Sequence, residues 1–297
     1  MVSVYILLTI LFISSVPGGY GSKWNHIDQD EWPDICLKGR RQSPINLDAN
    51  SARDKSFEKF DFVNYNKNLK GTAFNNGHSV VLILEESDDR PRVRGGGLSK
   101  EYITDHIHFH WQAEHTVNGH RYPLEAHLVH YAAEYKNFFN AFNYRDGIAV
   151  LGVLYDMSPD DDIELEALTD VLDEVENTHK KFPISREIQL RSYLPRDVAG
   201  FYRYDGSLTT PNCSEIVTWT VFTNTLPISK NQIKRFEDIR SESGKLTENF
   251  RALQKLGDRT VYLKRSPMFH SEHNRSSHTN YNILIMFTIV SLRFAFN

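Results

Sequence analysis

Three histidines alternate with apolar residues in Asp105-His106-Ile107-His108-Phe109-His110-Trp111, and a second run, Leu124-Glu125-Ala126-His127-Leu128-Val129-His130-Tyr131, follows shortly after. Both runs read as strands. Side chains alternate faces on a strand, so His106, His108 and His110 share one face while Ile107, Phe109 and Trp111 take the other. In the second run Glu125, His127 and Val129 share a face, with Ala126, Leu128 and His130 opposite. A lone histidine on an apolar strand is usually a hydrogen-bonded core residue. Several in alternation are harder to account for in that way, because each buried ring without a partner costs free energy. If the two runs pair, three imidazoles converge from neighbouring strands. That is a three-nitrogen metal site with an open fourth position, the arrangement of catalytic zinc. Spacing alone leaves open whether the first strand supplies His106 and His108 or His108 and His110.

The rest of the chain bounds what such a site serves. Its 297 residues are 40% hydrophobic and 24% charged, enough for one large domain, and the formal net charge of −4 carries no basic footprint for nucleic acid. Residues 1–19 hold an apolar stretch followed by small residues and read as a secretory signal peptide, with cleavage between Gly18 and Gly21. One catalytic domain is expected over residues 20–265, with no repeat or composition break inside it. A polar spacer over 266–280 leads to a hydrophobic tail over 281–297, the pattern of a glycolipid (GPI) anchor signal. Asn274, Ser276 and Ser277 are the candidate attachment residues, and a short transmembrane helix is the alternative reading. In a secreted chain the pair Cys36 and Cys213 suggests one disulfide, worth roughly 5 kcal/mol in the chain-entropy view.

Strand-like runs dominate the interior: Ser79–Leu84, the two histidine runs, Ile148–Tyr155 and Ile216–Phe222. Two helices are expected. One opens at Ser158-Pro159-Asp160-Asp161 and carries the apolar stripe Leu165, Leu168, Leu172, Val175. The other opens at Ser229 with Gln232 as a capping box, burying Ile233, Phe236 and Ile239. Gly95-Gly96-Gly97 reads as a turn and lacks the context of a phosphate-binding loop.

Several separate blocks resemble the α-class carbonic anhydrases, in family order: Gln42-Ser43-Pro44-Ile45-Asn46, Asn75-Asn76-Gly77-His78, His108-Phe109-His110-Trp111, Glu114-His115-Thr116-Val117, Glu125-Ala126-His127-Leu128-Val129-His130 and Tyr204-Asp205-Gly206-Ser207-Leu208-Thr209-Thr210-Pro211. The resemblance runs from about Tyr20 to Leu263. It implies a mainly β (α+β) single domain: a large, mostly antiparallel twisted sheet of about ten strands with peripheral helices. It implies Zn2+ on His108, His110 and His127, with His106 and Glu125 orienting ligands from behind. The implied reaction is reversible hydration of carbon dioxide to bicarbonate and a proton by a zinc-bound hydroxide. Thr209 would aim the nucleophile by donating its own hydroxyl proton to Glu114, and His78 would shuttle protons with Tyr20 and Asn76 in the water network. Val129, Val150, Leu208, Val217 and Trp219 match the apolar wall for carbon dioxide, and Thr209 with Thr210 the polar side that holds bicarbonate. His115 is implied to be a buried structural residue near Tyr204 and Ser43, and Cys36 with Cys213 the disulfide of extracellular members. The implied partners are carbon dioxide and bicarbonate, an external membrane face through the tail, and ion transporters there, with no nucleic acid.

Two positions depart from the pattern. His106 stands where relatives usually carry Gln, so a steeper loss of activity on the acid side is expected. Val81 replaces a polar residue of the hydrophilic wall, so slower proton transfer is expected. Asn212-Cys213-Ser214 and Asn274-Arg275-Ser276 are formal glycosylation sequons, the second the more exposed. Two other functions stay open: a catalytically silent binding module, although such relatives usually lack a ligand histidine, and a zinc hydrolase of esters, which would need a larger pocket.

Overall fold

The two histidine runs form neighbouring antiparallel strands, Tyr102–Trp111 and Leu124–Ala132, with His108 opposite His127 and His110 opposite Glu125. The molecule is seen as a computed structural model describing residues 24–177, 180–241 and 244–267. The leader over 1–19, Tyr20, the candidate residues Asn274, Ser276 and Ser277 and the 281–297 tail lie outside the described residues. No helix among the described residues is long and apolar enough to cross a membrane.

Around this pair runs one large sheet. Across it the strands lie in the order Lys181–Pro183, Gly71–Asn75, Val80–Leu84, Tyr102–Trp111, Leu124–Ala132, Ile148–Ser158, Val217–Phe222, Phe201–Gly206, Tyr262–Lys264 and Arg53–Asp54. Three further strands pair off this path, for 13 in all. Most pairings are antiparallel, but Ile148–Ser158 runs parallel to both Val217–Phe222 and Leu226–Ser229, and Arg53–Asp54 runs parallel to Tyr262–Lys264. The sheet is therefore mixed.

Both faces of its centre are buried, because each is covered. On one side Ile107, Phe109, Trp111, Ala126 and Leu128 pack with Ile233 and Phe236 of the helix Lys230–Glu237. That helix starts as expected, since Ser229 and Gln232 cap each other's backbone N–H groups. On the other side Val129, Val150, Val217 and Trp219 form a second apolar cluster beside the histidines. The helix expected from Pro159 does not form there. Ser158 stays extended because Tyr155–Ser158 pairs with Leu226–Ser229, and only Glu166–Thr169 is helical. Pairing with a distant strand overrides the local start signal, yet Leu165, Leu168, Leu172 and Val175 are all buried.

Cys36 and Cys213 are bonded across a sequence separation of 177, as expected. His130, on the face away from the metal strand side, is fully buried. Its Nε2 lies 2.6 Å from the Tyr65 hydroxyl and its Nδ1 3.3 Å from the Ala149 carbonyl. Burial lowers its pKa to about 4. The ring is neutral when folded and takes a proton when unfolded below its ordinary value of about 6.5, so its stabilising share is intact above that value and drains away as pH falls towards the folded one. At about pH 5 the loss is about 2 kcal/mol. His130→Phe is expected to shrink the drop in urea-unfolding free energy between neutral pH and pH 5 by about that amount. An equal drop in both proteins would refute this.

Candidate metal centre

Each of the three histidines on the inner face has one ring nitrogen held by a neighbour and the other turned inward. His110 Nδ1 donates to the Asn249 carbonyl at 2.5 Å, and His127 Nε2 donates to Glu125 Oε1 at 2.8 Å. His108 Nδ1 lies 3.1 Å from His106 Nε2. The inward atoms are His108 Nε2, His110 Nε2 and His127 Nδ1, and they form a cluster that can hold a metal ion. His106 is not in it. The first strand thus brings His108 and His110 to the cluster.

The cluster has the geometry to hold a cation. With its Nε2 proton given to Glu125, His127 presents a lone pair from Nδ1, which sits 3.2 Å from His108 Nε2. Two nitrogens about 2.0–2.1 Å from a tetrahedral zinc lie about 3.3 Å apart, so this spacing fits that ion. Among the described residues His110 Nε2 is buried with no hydrogen-bond partner, and so is Glu114 Oε2, 3.6 Å from it. Orphaned polar atoms of this kind are costly unless something charged lies between them. Burial also favours the neutral form of two of these rings: it is the main cause lowering the pKa of both His108 and His110, and Glu114 only partly opposes it at His110.

A layer of buried hydrogen bonds fixes these rings from behind. Glu125 Oε1 accepts from His127 and, at 2.7 Å, from His115 Nδ1, while Oε2 accepts from the His115 backbone N–H at 2.8 Å. Burial would raise the Glu125 pKa, but the His115 and His127 rings outweigh it and hold the carboxyl well below its usual range. His115 Nε2 lies 2.6 Å from the Tyr204 hydroxyl, which lies 2.9 Å from Ser43 Oγ, so the three side chains meet as the resemblance implied. Gly152, opposite His127 on the next strand, leaves room for Glu125. A Cβ there would stand 3.1 Å from Glu125 Oε1.

The other expected residues fall as follows. Val129, Val150, Val217 and Trp219 share one apolar cluster with Leu208 packed against it. Thr209 is buried and Thr210 half-buried in the loop after Phe201–Gly206. The expected hydrogen bond from Thr209 to Glu114 is not formed: Oε2 has no partner among the described residues, and Oε1 accepts the Arg251 backbone N–H at 2.8 Å. Val81 is buried opposite His108 in the register. Asn76 accepts from the backbone N–H groups of His78 and Ser79, so its carboxamide oxygen shapes the turn that carries His78. Asn212 Oδ1 accepts from Ser214, and the intervening Cys213 is buried in the disulfide.

Four contributors were missed by sequence reasoning. Asn249 supplies the carbonyl behind His110, while its side chain bonds the backbone of Phe109 and Trp111. Arg251 braces Glu114 through its backbone and is itself buried. Trp24 stacks on His78 at 3.6 Å, and His26 lies 6.3 Å from His78, buried and with neither ring nitrogen partnered among the described residues. The only sequence sign of the last pair was a histidine flanked by tryptophans, Trp24 and Trp32.

Residues 22–265 match the family described as eukaryotic-type carbonic anhydrase. A protein named putative carbonic anhydrase 3 from Caenorhabditis elegans is 36% identical over 250 residues, covering 80% of this chain and 96% of that one. Carbonic anhydrase 6 of Bos taurus is 31% identical over 307 residues, 91% of this chain and 89% of its own. Carbonic anhydrase 4 of Oryctolagus cuniculus is 32% identical over 254 residues, 81% of each. A match spanning the histidine cluster and everything that braces it leaves one assignment: the chain belongs to the eukaryotic-type carbonic anhydrase family, a family of enzymes.

Proposed function

We propose that this chain reversibly hydrates carbon dioxide to bicarbonate and a proton, with zinc held by His108, His110 and His127. The observation that carries the reading is the convergence of three inward ring nitrogens beside the unpartnered Glu114 Oε2. When bound, zinc supplies a nucleophile at neutral pH by lowering the pKa of a water to about 7, a value measured on carbonic anhydrase itself.

The chain's own groups do the rest. Three neutral imidazoles leave the metal's charge undiminished, which burial of His108 and His110 favours. Thr209 would orient the nucleophile by accepting its hydrogen bond, with its own hydroxyl proton directed to Glu114 Oε2, which has no partner among the described residues. Val129, Val150, Leu208, Val217 and Trp219 give carbon dioxide a dry surface, and Thr210 with the Thr209 backbone faces the bicarbonate product. His78, half-buried in its turn and stacked on Trp24, carries the proton out, with His26 beside it on the inner side. The disulfide supports an oxidising, external setting, with the tail a GPI signal that tethers the enzyme to the outer membrane face near the ion transporters it would serve. Release from cells by a phosphatidylinositol-specific phospholipase tests the tether. Retention on the cells would favour a spanning helix.

Stopped-flow hydration with and without a zinc chelator tests the reaction. Activity lost with the chelator and restored by zinc is expected; a fully metallated but inactive protein would make the chain a binding module. His78→Ala is expected to lower kcat on the order of 10²-fold in dilute buffer, leave kcat/KM unchanged because proton export follows the hydration step, and recover in concentrated imidazole. A kcat equal to that of the wild type in dilute buffer would exclude His78 as the shuttle.

A further inference from the structure

Two of the three ligand histidines are held by groups that can only accept a hydrogen bond. The Asn249 carbonyl behind His110 and the Glu125 carboxylate behind His127 each fix the ring proton on the outer nitrogen. His108 has no such anchor of its own. Its Nδ1 meets His106 Nε2 at 3.1 Å, and an imidazole nitrogen donates or accepts according to its tautomer. If His106 carried its proton on Nε2, two N–H groups would face each other, or His108 would turn its lone pair away from the cluster.

The backbone resolves this with an irregularity. On a regular strand Asp105 and His106 would point to opposite faces. Here His106 pairs with Val129 while Thr104 pairs with His130, so Asp105 is an extra residue in a bulge. The bulge brings Asp105 to the side of His106, where Oδ2 accepts from Nδ1 at 2.7 Å. An ionised carboxylate cannot donate, so the His106 proton lies on Nδ1 and Nε2 is an acceptor. His108 then donates through Nδ1 and keeps its Nε2 lone pair for the cluster. Phe138 packs edge-on at 6.0 Å and holds the His106 ring in this line.

We propose that Asp105 is a positioning residue for the metal: acting through His106, it sets the tautomer and orientation of His108, as Asn249 and Glu125 do for the other two ligands. The proposal rests on the reading that these three histidines bind zinc. An ordinary surface ion pair between Asp105 and His106 would leave the metal's affinity untouched, which makes the two distinguishable.

The test is zinc affinity, measured on the full chain at neutral pH by competition with a chromophoric chelator. Asp105→Ala is expected to weaken binding about tenfold. His106→Gln should bind nearly as the wild type does, because a carboxamide oxygen accepts from His108 Nδ1 and has no tautomer to lose. In that background Asp105→Ala should have no further effect. A metal-independent reading comes from the imidazole nitrogen resonances of the apoprotein, where Asp105→Ala should move His106 from the Nδ1–H form to a mixture. An affinity for Asp105→Ala within twofold of the wild type would overturn the proposal, as would an equal loss in the His106→Gln background or an unchanged His106 tautomer. A wild-type chain that binds no zinc, or keeps it after His108→Ala, would overturn the ligand reading and the proposal with it.

Discussion

Replacing His110 by alanine is expected to abolish stoichiometric zinc binding and to lower carbon dioxide hydration at least about 10³-fold. The ring is 1% exposed, and its Nε2 has no partner among the described residues, so none of their side chains stands ready to take its place. Two imidazoles alone leave a site short of the three protein ligands that catalytic zinc uses. Glu114 Oε2, 3.6 Å from His110 Nε2 and 3.9 Å from His127 Nδ1, does not compensate. Its Oε1 is already tied to the Arg251 backbone. The fold should survive at a moderate loss, because the substitution strands only the Asn249 carbonyl, at about 1–3 kcal/mol, and opens a small cavity. Metal analysis and stopped-flow rates on the purified variant check both parts. A variant that still holds one zinc and turns over normally would show that the metal sits elsewhere.

Arg251→Met is expected to destabilise the protein by about 3–5 kcal/mol. The guanidinium is buried, and three acceptors surround it: Gln42 Oε1 at 2.9 Å, the Ser43 carbonyl at 2.7 Å and the Cys36 carbonyl at 2.6 Å. Burial pulls its pKa down to about 10, with Glu114 pulling the other way, so it remains charged at neutral pH. Methionine fills much of the volume but satisfies none of the three, and each stranded acceptor costs about 1–3 kcal/mol. Relief from burying the charge offsets part of that sum. Because Arg251 gathers the segment around Cys36 and the Gln42-Ser43 block while its backbone holds Glu114, activity should fall along with the urea midpoint. An unfolding free energy within about 0.5 kcal/mol of the wild type would show that water replaces the side chain without loss.

How much was legible in advance depended on the range of the interaction. The faces of the histidine strands followed from alternation, because the strand period is a local property. The helix start at Ser229 followed from side chains three residues apart that bond each other's backbone. The helix expected at Ser158 failed because Met157 and Ser158 pair with Ile228 and Ser229, a contact no local pattern announces. The resemblance puts Tyr20 in the proton network, and that residue lies outside the described ones; the stacking of Trp24 on His78 is a contact that no motif announced.

The sequence by itself determined which imidazoles share a face, which strands carry them, and what metal chemistry so many buried rings demand. It also determined the family, through blocks of residues whose order survives in the chain. Only the tertiary structure decided how the rings are held. The carbonyl behind His110 comes from Asn249, on a segment with no metal-binding sign of its own, and the partner of His106 is selected by a one-residue bulge at Asp105. The physical reason is that a histidine's residue type does not say which nitrogen carries its proton. That choice belongs to whichever acceptor the folded backbone brings within hydrogen-bonding distance.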